Sequence, residues 1–348
     1  MFHTRVCDLF GIEYPILQSP MNFPVTPALI AAVSNAGGLG ILSNNMRTEF
    51  IVDGGGSRDD PALQAEHMRE QIKDVRRLTD KPIGINLQPA SSAVEPRIEL
   101  AVAEGVQVAY TSMGSPTLIT KRLQDAGMKV IHIGTTVRHA VKAQEAGVDA
   151  FAIAGVEAGG HSPGHGETTL FTVLPQVVDA VDIPVLAGGG VGDARGFIAA
   201  LALGAEGICM GTRFVATHES RWHPEVKQAL LDAGDSSTVA WGKTLGAGLG
   251  RTMKNKFTQK YLEMEAQGAT AEELQTFIDD YADRNGKGLD RKAGGYFDVD
   301  LEWGEIYMGA VSGLITELKN AADVVPDIIA GAEKVLARLH ADQVPARL

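Results

Sequence analysis

Cysteine is scarce in this sequence of 348 residues: it has only Cys7 and Cys209, far apart and without a CxxC or Cys/His spacing. This excludes a disulfide framework and a cysteine-ligated zinc site as organising features. A surplus of positive charge is also lacking, because 31 Lys and Arg stand against 43 Asp and Glu, for a net charge of -12. Nucleic-acid backbones attract clustered Lys and Arg, so we expect no nucleic-acid partner.

The chain also lacks any run of about 18 apolar residues, the length that a membrane-spanning helix needs. Its first residues, MFHTRVCDLFGIEYP, have neither the basic start nor the apolar stretch of a secretory signal peptide. We therefore expect a cytoplasmic protein without a membrane partner. Apolar residues are plentiful, at 45% of the chain, and so is glycine, with 40 residues. The chain can accordingly bury a large core.

Eight short apolar runs alternate with helical segments along the first 210 residues. Parallel strands joined by right-handed helical crossovers explain this rhythm, and eight such units close into a TIM (β/α)8 barrel. An open doubly wound sheet is the alternative, but it would gather its ligand loops at one switch point, whereas here glycine or polar residues follow many strands. The phrases AGGLG, DAGMK, EAGVDA and LGAEG predict helix ends with a left-handed glycine. The predicted strands are 16–18, 40–42, 83–86, 106–110, 130–133, 150–154, 184–187 and 207–210.

After about residue 217 the rhythm changes. Helices are predicted at 222–233 and 271–282, a loop at 284–300, and a returning helix at 304–318. We expect residues 1–219 and 304–348 to form the barrel, with 220–303 as an inserted, mostly helical cap segment. The sequence leaves two roles open for this segment, a lid over the barrel mouth or the arm of a homodimer.

Two glycine-rich turns follow neighbouring predicted strands in IPVLAGGGVGDARGFIAALALGAEGICMGTRF, residues 183–214. Bare backbone at these turns lets amide N–H groups converge on an anion, helped by the positive ends of the following helices. One such turn is explained by tight packing alone, but two in succession favour a phosphate site. The residues concerned are Gly188, Gly189, Gly190, Met210, Gly211 and Thr212.

Polar residues also follow the strand at 150–154, in VEAGGHSPGHGETTL. Residues just beyond a barrel strand face the active-site mouth, which places Glu157, His161 and His165 there. Gly160 lets the backbone approach a bound ring closely. The four-residue histidine spacing is typical of metal ligands on a helix, but the glycines and Pro163 prevent a regular helix, so we predict no metal site. A plain loop remains the alternative to a catalytic role.

The ends of the first and third strands carry a third set of candidates. Pro20, Met21 and Asn22 follow the first strand, and Asn86 ends the third. Side-chain amides suit the edge of a flat heteroaromatic ring, and methionine packs against its face. Asn44 and Asn45 are equally well explained as turn residues.

Together these phrases resemble one family. YPILQSPMNFPVTPALIAAVSNAGGLGILS, GINL, EAGGHSP, IPVLAGGGVGD and ALGAEGICMGTRFVATHES are similar to the nitronate monooxygenase (2-nitropropane dioxygenase) family, which includes the flavin-dependent enoyl-acyl-carrier-protein reductase II branch. The likeness runs from about residue 4 to 220 and resumes at EIYMGAVSGL. It implies non-covalent FMN. The implied FMN contacts are Pro20, Met21, Asn22, Asn86, Glu157, Gly160, Gly188, Gly189, Gly190, Met210, Gly211 and Thr212.

One departure bears on the subclass. Well-known nitronate monooxygenases carry a histidine base after the fourth strand, in a phrase like SFHFG, where this chain reads AYTSMGSP. Removal of a proton from a neutral nitroalkane is therefore not expected, although a preformed nitronate needs no such base. His161 matches the histidine of the enoyl reductase branch and is our candidate catalytic residue. Candidate substrate contacts are Ser112, Met113, Gly114, His165 and Met308.

The leading hypothesis is an oxidoreductase that passes electrons from NAD(P)H through FMN to an activated alkene, such as an acyl thioester, or to a quinone. A nitronate monooxygenase using O₂ is the first alternative. A cofactor-free lyase or isomerase that binds a sugar phosphate is the second. Four cations could meet the phosphates of a coenzyme A thioester, but a solvated charged face explains them as well: Arg251, Lys254, Lys256 and Lys260.

Overall fold

Eight parallel strands form the centre of the computed structural model, which describes residues 2–43, 61–161, 166–246, 248–284 and 290–341. Their order in the sheet is β1-β9-β8-β6-β5-β4-β3-β2. Leu17 of β1 also bridges in parallel to Leu39 beside β2, so the two ends of the sheet meet. The predicted barrel is confirmed. The strands are β1 Ile16–Gln18, β2 Gly40–Leu42, β3 Ile83–Leu87, β4 Val108–Thr111, β5 Lys129–Gly134, β6 Ala150–Ala154, β8 Val185–Gly188 and β9 Gly207–Met210, with β7 Gly160–His161 outside the barrel.

Helices surround the barrel. The long helix Ala321–Ala341 packs against Ala194–Ala202 and Pro27–Asn35 and so completes the outer ring. Short helices lie at Arg5–Phe10 before β1 and at Thr212–Val215 after β9. The other outer helices are Pro61–Arg76, Val94–Ala103, Thr120–Asp125, Val137–Glu145 and Leu170–Val178, and a 3-10 turn lies at Pro116–Leu118.

The predicted glycine helix ends are confirmed. Gly37, Gly127, Gly147 and Gly204 have φ of 88°, 84°, 81° and 95°, in the left-handed region that glycine enters without strain. Each ends a helix on the side of the barrel away from the mouth. The sharp stop returns the chain to the next strand within a few residues.

The core has two apolar layers, one inside the barrel and one between the strands and the helices. Inside, Leu17, Ile41, Tyr110, Ile131 and Leu186 belong to one buried cluster. Burying a side chain of this size contributes about 1.5–3 kcal/mol each. The barrel is therefore a packed core rather than a channel, and a ligand has room only at its mouth.

Residues 220–303, the inserted segment, combine helices with a small antiparallel sheet. The helices Pro224–Leu231 and Ala271–Arg284 confirm two predictions. The hairpin of β10 Thr238–Trp241 and β11 Gly250–Met253 was not predicted, nor was the helix Lys256–Ala266. Strand β11 pairs with β7, which ties the hairpin to the loop after β6.

The predicted loop at 284–300 is wrong in part, because Arg291–Phe297 is a helix. The side chain of Asp290 accepts a hydrogen bond from the amide of Ala293 and so caps this helix. The helix was not predicted because the two glycines in RKAGGYF are poor helix formers. Gly294 is needed for close packing, since a Cβ there would lie 2.1 Å from Tyr281 Oη.

The predicted helix at 304–318 is wrong. The chain is extended where Tyr307 bridges to Thr252 of β11, and only Ala310–Leu314 forms a 3-10 turn. Close contacts explain the difference. A Cβ on Gly304 would lie 2.4 Å from Gly295 Cα, and one on Gly309 would lie 2.9 Å from the carbonyl oxygen of Glu157. Residues 304–310 therefore cross the barrel mouth as an extended strip, which we call the crossing segment.

Among the described residues, no helix is long and apolar enough to cross a bilayer.

One buried cation organises the inserted segment. Arg291 is 3% exposed, and its guanidinium donates to the carbonyl oxygens of Phe277, Ile278 and Trp303. The same group lies 4.5 Å from the ring centroid of Phe257 and 4.8 Å from that of Phe277. Three carbonyls and two ring faces compensate for the loss of water around the charge.

We therefore expect Arg291→Met to lower the free energy of unfolding by about 2–4 kcal/mol, because it removes three buried hydrogen bonds from a charged donor together with its contacts to the ring faces. Urea unfolding followed by tryptophan fluorescence measures the loss. The control is Arg77→Met, whose side chain is 74% exposed and pairs with Asp74 at the surface. It should cost less than about 1 kcal/mol. Equal stability of the two variants would contradict this account.

Candidate active site

A cavity of about 470 Å³ opens at the carboxyl ends of the barrel strands. Its walls come from the segments that follow β1, β3, β4, β6, β8 and β9, together with parts of the inserted and crossing segments. Most residues predicted from the sequence meet there. They are Pro20, Met21, Asn22, Asn86, Ser112, Met113, Glu157, Gly160, His161, Gly188, Gly189, Gly190, Met210, Gly211 and Thr212.

Two predicted substrate contacts, Gly114 and Met308, do not line this cavity. Gly114 packs toward Pro89 and Ala90, just beyond the cavity wall. Met308 is fully buried in an apolar cluster with Val215 and Trp222. Its prediction assumed a helix at 304–318, whereas the extended chain turns the side chain into the core. His165 lies outside the described residues, as do Asn44 and Asn45.

The glycine loop after β8 presents bare backbone to the cavity. Gly189 and Gly190 have φ of 78° and 73°. Their amides donate no hydrogen bond within the described part of the chain. A Cβ on Gly189 would lie 2.7 Å from Ala158 Cβ, so the two loops touch at this point. Unpaired amides at a cavity wall form a site for an anion.

The helix that follows this loop does not contribute as predicted. The carboxylate of Asp193 accepts hydrogen bonds from the amides of Arg195 and Gly196, at 2.9 and 3.2 Å. An aspartate N-cap therefore occupies the positive end of Ala194–Ala202 and places a negative charge there. Any anion at this corner must be held by the loop amides themselves.

The adjoining wall is built by hydrogen bonds between the crossing segment and two barrel loops. The amide of Gly309 donates to Thr212 Oγ1 at 3.0 Å, and that of Ala310 donates to the carbonyl oxygen of Glu157 at 2.9 Å. The Glu157 carboxylate accepts from the amide of Leu170. Glu157 therefore lines the cavity and also stabilises the start of the helix Leu170–Val178.

The floor of the cavity is fixed by Asn86. Its side-chain amide donates to the carbonyl oxygen of Tyr110 at 2.9 Å and to Ser112 Oγ at 3.1 Å. Met113 stands above, 52% exposed, with an unusual left-handed φ of 56°.

Burial raises the pKa of the Cys209 thiol to about 12, so this group stays protonated and is no nucleophile.

His161 lies at the rim, on β7, with its ring open to the cavity. Its Nδ1 is 2.6 Å from the Tyr307 hydroxyl, which in turn hydrogen-bonds the carboxylate of Glu305. Burial of the imidazole among its neighbours, with a smaller effect from the Lys292 cation, lowers the pKa of His161 to about 4. Although the ring can be reached from the cavity, it is neutral near pH 7.

Sequence reasoning missed several residues of this site. Lys292, Tyr296 and Tyr307 line the cavity from segments predicted to be a loop and a helix. Phe23 and Trp222 pack against Tyr296, with ring centroids 5.2 and 5.0 Å away. The aromatic content of these segments was the only available signal, since no spacing rule places them at the mouth.

Three of the four cations considered for coenzyme A phosphates have other partners, and the fourth, Lys254, is exposed and outside the cavity lining. Lys256 pairs with Glu302 and Lys260 with Glu263, on the surface. Arg251 donates to the carbonyl oxygen of Val156 at 2.8 Å. These contacts are typical of a structural and solvated face. Among the described residues that line the cavity, Lys292 carries the only Lys or Arg charge.

No cluster of three or more His, Cys, Asp or Glu that could hold a metal occurs in the described parts of the chain.

Comparison with known proteins identifies the family of the chain and agrees with its barrel fold. The model of the nitronate monooxygenase family matches residues 3–331. The chain therefore belongs to the nitronate monooxygenase family, and it is an oxidoreductase.

Two relatives cover three quarters of the chain or more. A Rhodococcus jostii protein named (3aS,4S,5R,7aS)-5-hydroxy-7a-methyl-1-oxo-octahydro-1H-indene-4-carboxyl-CoA dehydrogenase is 32% identical, covering 97% of this chain and 98% of that protein. A probable nitronate monooxygenase of Staphylococcus aureus is 31% identical over 75% of this chain and 81% of its own length.

Solved structures show the same architecture. FabK from Thermotoga maritima superposes with a TM-score of 0.82 at 34% identity, covering 98% of this chain and 99% of that chain. The nitroalkane oxidase of Streptomyces ansochromogenes superposes with a TM-score of 0.77 at 26% identity, covering 96% and 99%. The chain is similar to reductase-type and nitroalkane-oxidising members alike.

The environment of His161 predicts how the ring titrates. We expect it to stay neutral from pH 8 down to about pH 5, because its pKa is lowered to about 4. Since this value lies below that of the unfolded chain, about 6.5, the stabilising contribution is complete above about pH 6.5. It is lost as the pH falls toward 4.

Carbon-13 histidine NMR measures this, with His161→Gln identifying the signal and urea-unfolded protein as the control. A midpoint near 6.5 for His161 in the folded protein would contradict the described environment.

Proposed function

We propose that this protein is an FMN-dependent reductase that passes electrons from NAD(P)H to an activated alkene, of which an α,β-unsaturated acyl thioester is the preferred class. The relative from Rhodococcus jostii is named for a carboxyl-CoA substrate, which supports the thioester. That relative is named a dehydrogenase. A dehydrogenase and a reductase carry out the two directions of the same hydride transfer, so the same groups serve both.

The cavity fits FMN at the corner formed by Gly189 and Gly190. Their unpaired amides and the lack of side chains suit a phosphate, and the neighbouring walls contain Met21, Asn86 and Thr212. The chemistry that bound FMN would supply is hydride transfer between NAD(P)H and the substrate. The protein's part is to orient the ring and the acceptor and to manage the protons.

The observation that carries this proposal is the position of the imidazole. Among the described residues lining the cavity, His161 is the only histidine, and it stands on β7 rather than after β4. The position after β4 holds Ser112 and Met113, which cannot take a proton from a nitroalkane. Reduction of an alkene needs a hydride on the β-carbon and a proton on the α-carbon, and His161 can supply the second.

The aromatic wall and the inserted segment favour a bulky acceptor. Phe23, Trp222 and Tyr296 present stacked rings to the cavity, and Lys292 and Tyr296 reach it from the inserted segment. We therefore propose that residues 220–303 serve as a lid over the barrel formed by 1–219 and 304–348, rather than as a dimerisation arm. A lid of this kind excludes water from the reacting atoms.

Nitronate oxidation with O₂ is the second candidate. It is supported by the Staphylococcus aureus relative named a probable nitronate monooxygenase and by the likeness to the Streptomyces nitroalkane oxidase. A preformed nitronate would need no base after β4, so the site does not conflict with this activity.

Anaerobic reduction of the purified protein separates these functions. We expect NADH or NADPH to bleach the flavin absorbance near 450 nm faster than an alkyl nitronate does. His161→Ala should keep the flavin but slow turnover with an enoyl thioester by about 100-fold, since a positioned proton donor contributes at least that much. Faster bleaching by the nitronate would favour the second candidate. Colourless protein that fails to take up FMN would exclude both.

The glycine corner predicts a selective loss of FMN affinity. Gly190→Ala adds a Cβ at a cavity-lining position with φ of 73°, 3.6 Å from Glu157. We expect the Kd for FMN to rise by about 10-fold or more, a change of about 1.4 kcal/mol. Fluorescence quenching of free FMN on titration with apoprotein measures it.

Gly268→Ala is the matched control, because Gly268 also has a left-handed φ, 86°, but nothing within 4 Å of a Cβ. This variant bears the same backbone strain far from the cavity. Equal FMN affinity in the two variants would show that the phosphate is held elsewhere.

A further inference from the structure

Three groups that the sequence did not connect form a continuous hydrogen-bonded chain beside the cavity. Tyr307 Oη lies 2.6 Å from His161 Nδ1 and also contacts Glu305 Oε1. Glu305 is 3% exposed and lies behind Tyr307, away from solvent. The order of the chain is therefore buried carboxyl, phenol, imidazole and cavity.

The number of protons restricts what this chain can do. A tyrosine hydroxyl has one proton, so it donates either to Glu305 or to His161 and accepts from the other. In one arrangement Glu305 is protonated and donates to Tyr307, Tyr307 donates to Nδ1, and His161 carries its proton on Nε2. In the other arrangement, Glu305 is ionised and accepts from Tyr307. His161 then carries its proton on Nδ1, and Nε2 carries no proton. Moving one proton along each of the two hydrogen bonds, while the Nε2 proton leaves to an acceptor in the cavity, converts the first arrangement into the second.

The surroundings favour storage of the proton on the carboxyl. Burial is the largest effect and raises the pKa of Glu305, and the Asp290 charge adds to this, whereas Lys292, the hydrogen bond from Tyr307 and Arg291 act in the opposite direction. Burial and Lys292 lower the pKa of His161. The protonated form of His161 is therefore disfavoured. A neutral His161 that gives up its Nε2 proton must receive another proton at Nδ1, from Tyr307.

We propose that Glu305, Tyr307 and His161 form a proton relay that delivers a proton to the substrate without forming imidazolium. The O–H bond of Glu305 breaks as that of Tyr307 re-forms, the Tyr307 proton passes to Nδ1, and the Nε2–H bond breaks as the substrate α-carbon gains its proton. The hydride and its electron pair come from NAD(P)H by way of the proposed cofactor. Glu305 regains its proton by the reverse passage, from water in the open cavity.

This inference rests on the proposed function only in taking His161 as the proton donor. Tyr307 and Glu305 act through His161 and are positioning and relay residues. The positions of the two protons can be measured in the FMN-loaded protein without turnover, so the relay and the proposed reaction can fail separately.

The tautomer of His161 tests the resting arrangement. Long-range ¹H–¹⁵N spectra of histidine-labelled holoenzyme near pH 7 should show the neutral ring protonated on Nε2. Glu305→Gln should keep this tautomer, because the glutamine amide can donate to Tyr307 as the protonated carboxyl does. Tyr307→Phe should move the ¹⁵N resonance of Nδ1 toward that of a ring nitrogen without a hydrogen bond, because Nδ1 loses its donor. A wild-type ring protonated on Nδ1 would overturn the storage of the proton on Glu305.

Turnover tests the transfer. With crotonyl-CoA as acceptor, Glu305→Gln and Tyr307→Phe should each lower kcat by about 10- to 100-fold with little change in KM, because the glutamine cannot release a proton along the chain. With p-benzoquinone, whose oxygens take protons from water, the two variants should lose a much smaller factor in kcat than they lose with crotonyl-CoA. Full crotonyl-CoA activity in Glu305→Gln would overturn the relay and leave Tyr307 with a structural role.

Tyr281→Phe is the matched control, since Tyr281 Oη also donates to a carboxylate, that of Asp300 at 2.8 Å, but lies in the inserted segment outside the cavity lining. It should leave both activities and the His161 tautomer unchanged. If crotonyl-CoA is not turned over by the wild type, the proposed thioester substrate is wrong, and the tautomer pattern across the variants still decides for or against the relay.

Discussion

The close approach of two loops determines the rest of the site. Ala158 presses against Gly189 so tightly that a Cβ on that glycine would come within 2.7 Å of it. This contact fixes the loop after β8, whose amides face the cavity, and the loop after β6, which leads into β7 and His161. The proposed phosphate corner and the proposed proton donor are thus positioned by one backbone contact. Glycine is required there because no side chain fits.

The crossing segment extends this constraint to the inserted segment. Its amides bond to Thr212 and to the carbonyl of Glu157, and Tyr307 reaches His161 from the same strip. Barrel loops and the crossing segment therefore share one wall, and Tyr307 joins this wall to the inserted segment by its bridge to Thr252. A chain that folded its barrel without residues 304–310 would have His161 but not the groups that control its proton.

The barrel could be predicted from the sequence because local patterns determine it. Short apolar runs, helix-ending glycines such as Gly127 and Gly147, and polar strand ends are properties of neighbouring residues. The crossing segment could not be predicted. Its apolar spacing resembles a helix, but long-range contacts of Gly304 and Gly309 hold it extended. Tyr307, Glu305 and Lys292 became site residues only through that tertiary contact. The helix at 194–202 was also expected to help bind an anion through its positive end. That expectation was wrong, because Asp193 caps this end.

The central claim is that the bare amides of Gly189 and Gly190 hold the phosphate of FMN, so that its flavin ring lies within reach of His161. A crystal structure of the protein grown with FMN tests it most directly. The account predicts phosphate oxygens within about 3 Å of both amides, with the flavin ring extending toward Asn86 and His161. A phosphate bound elsewhere, or a ring turned away from His161, would contradict it.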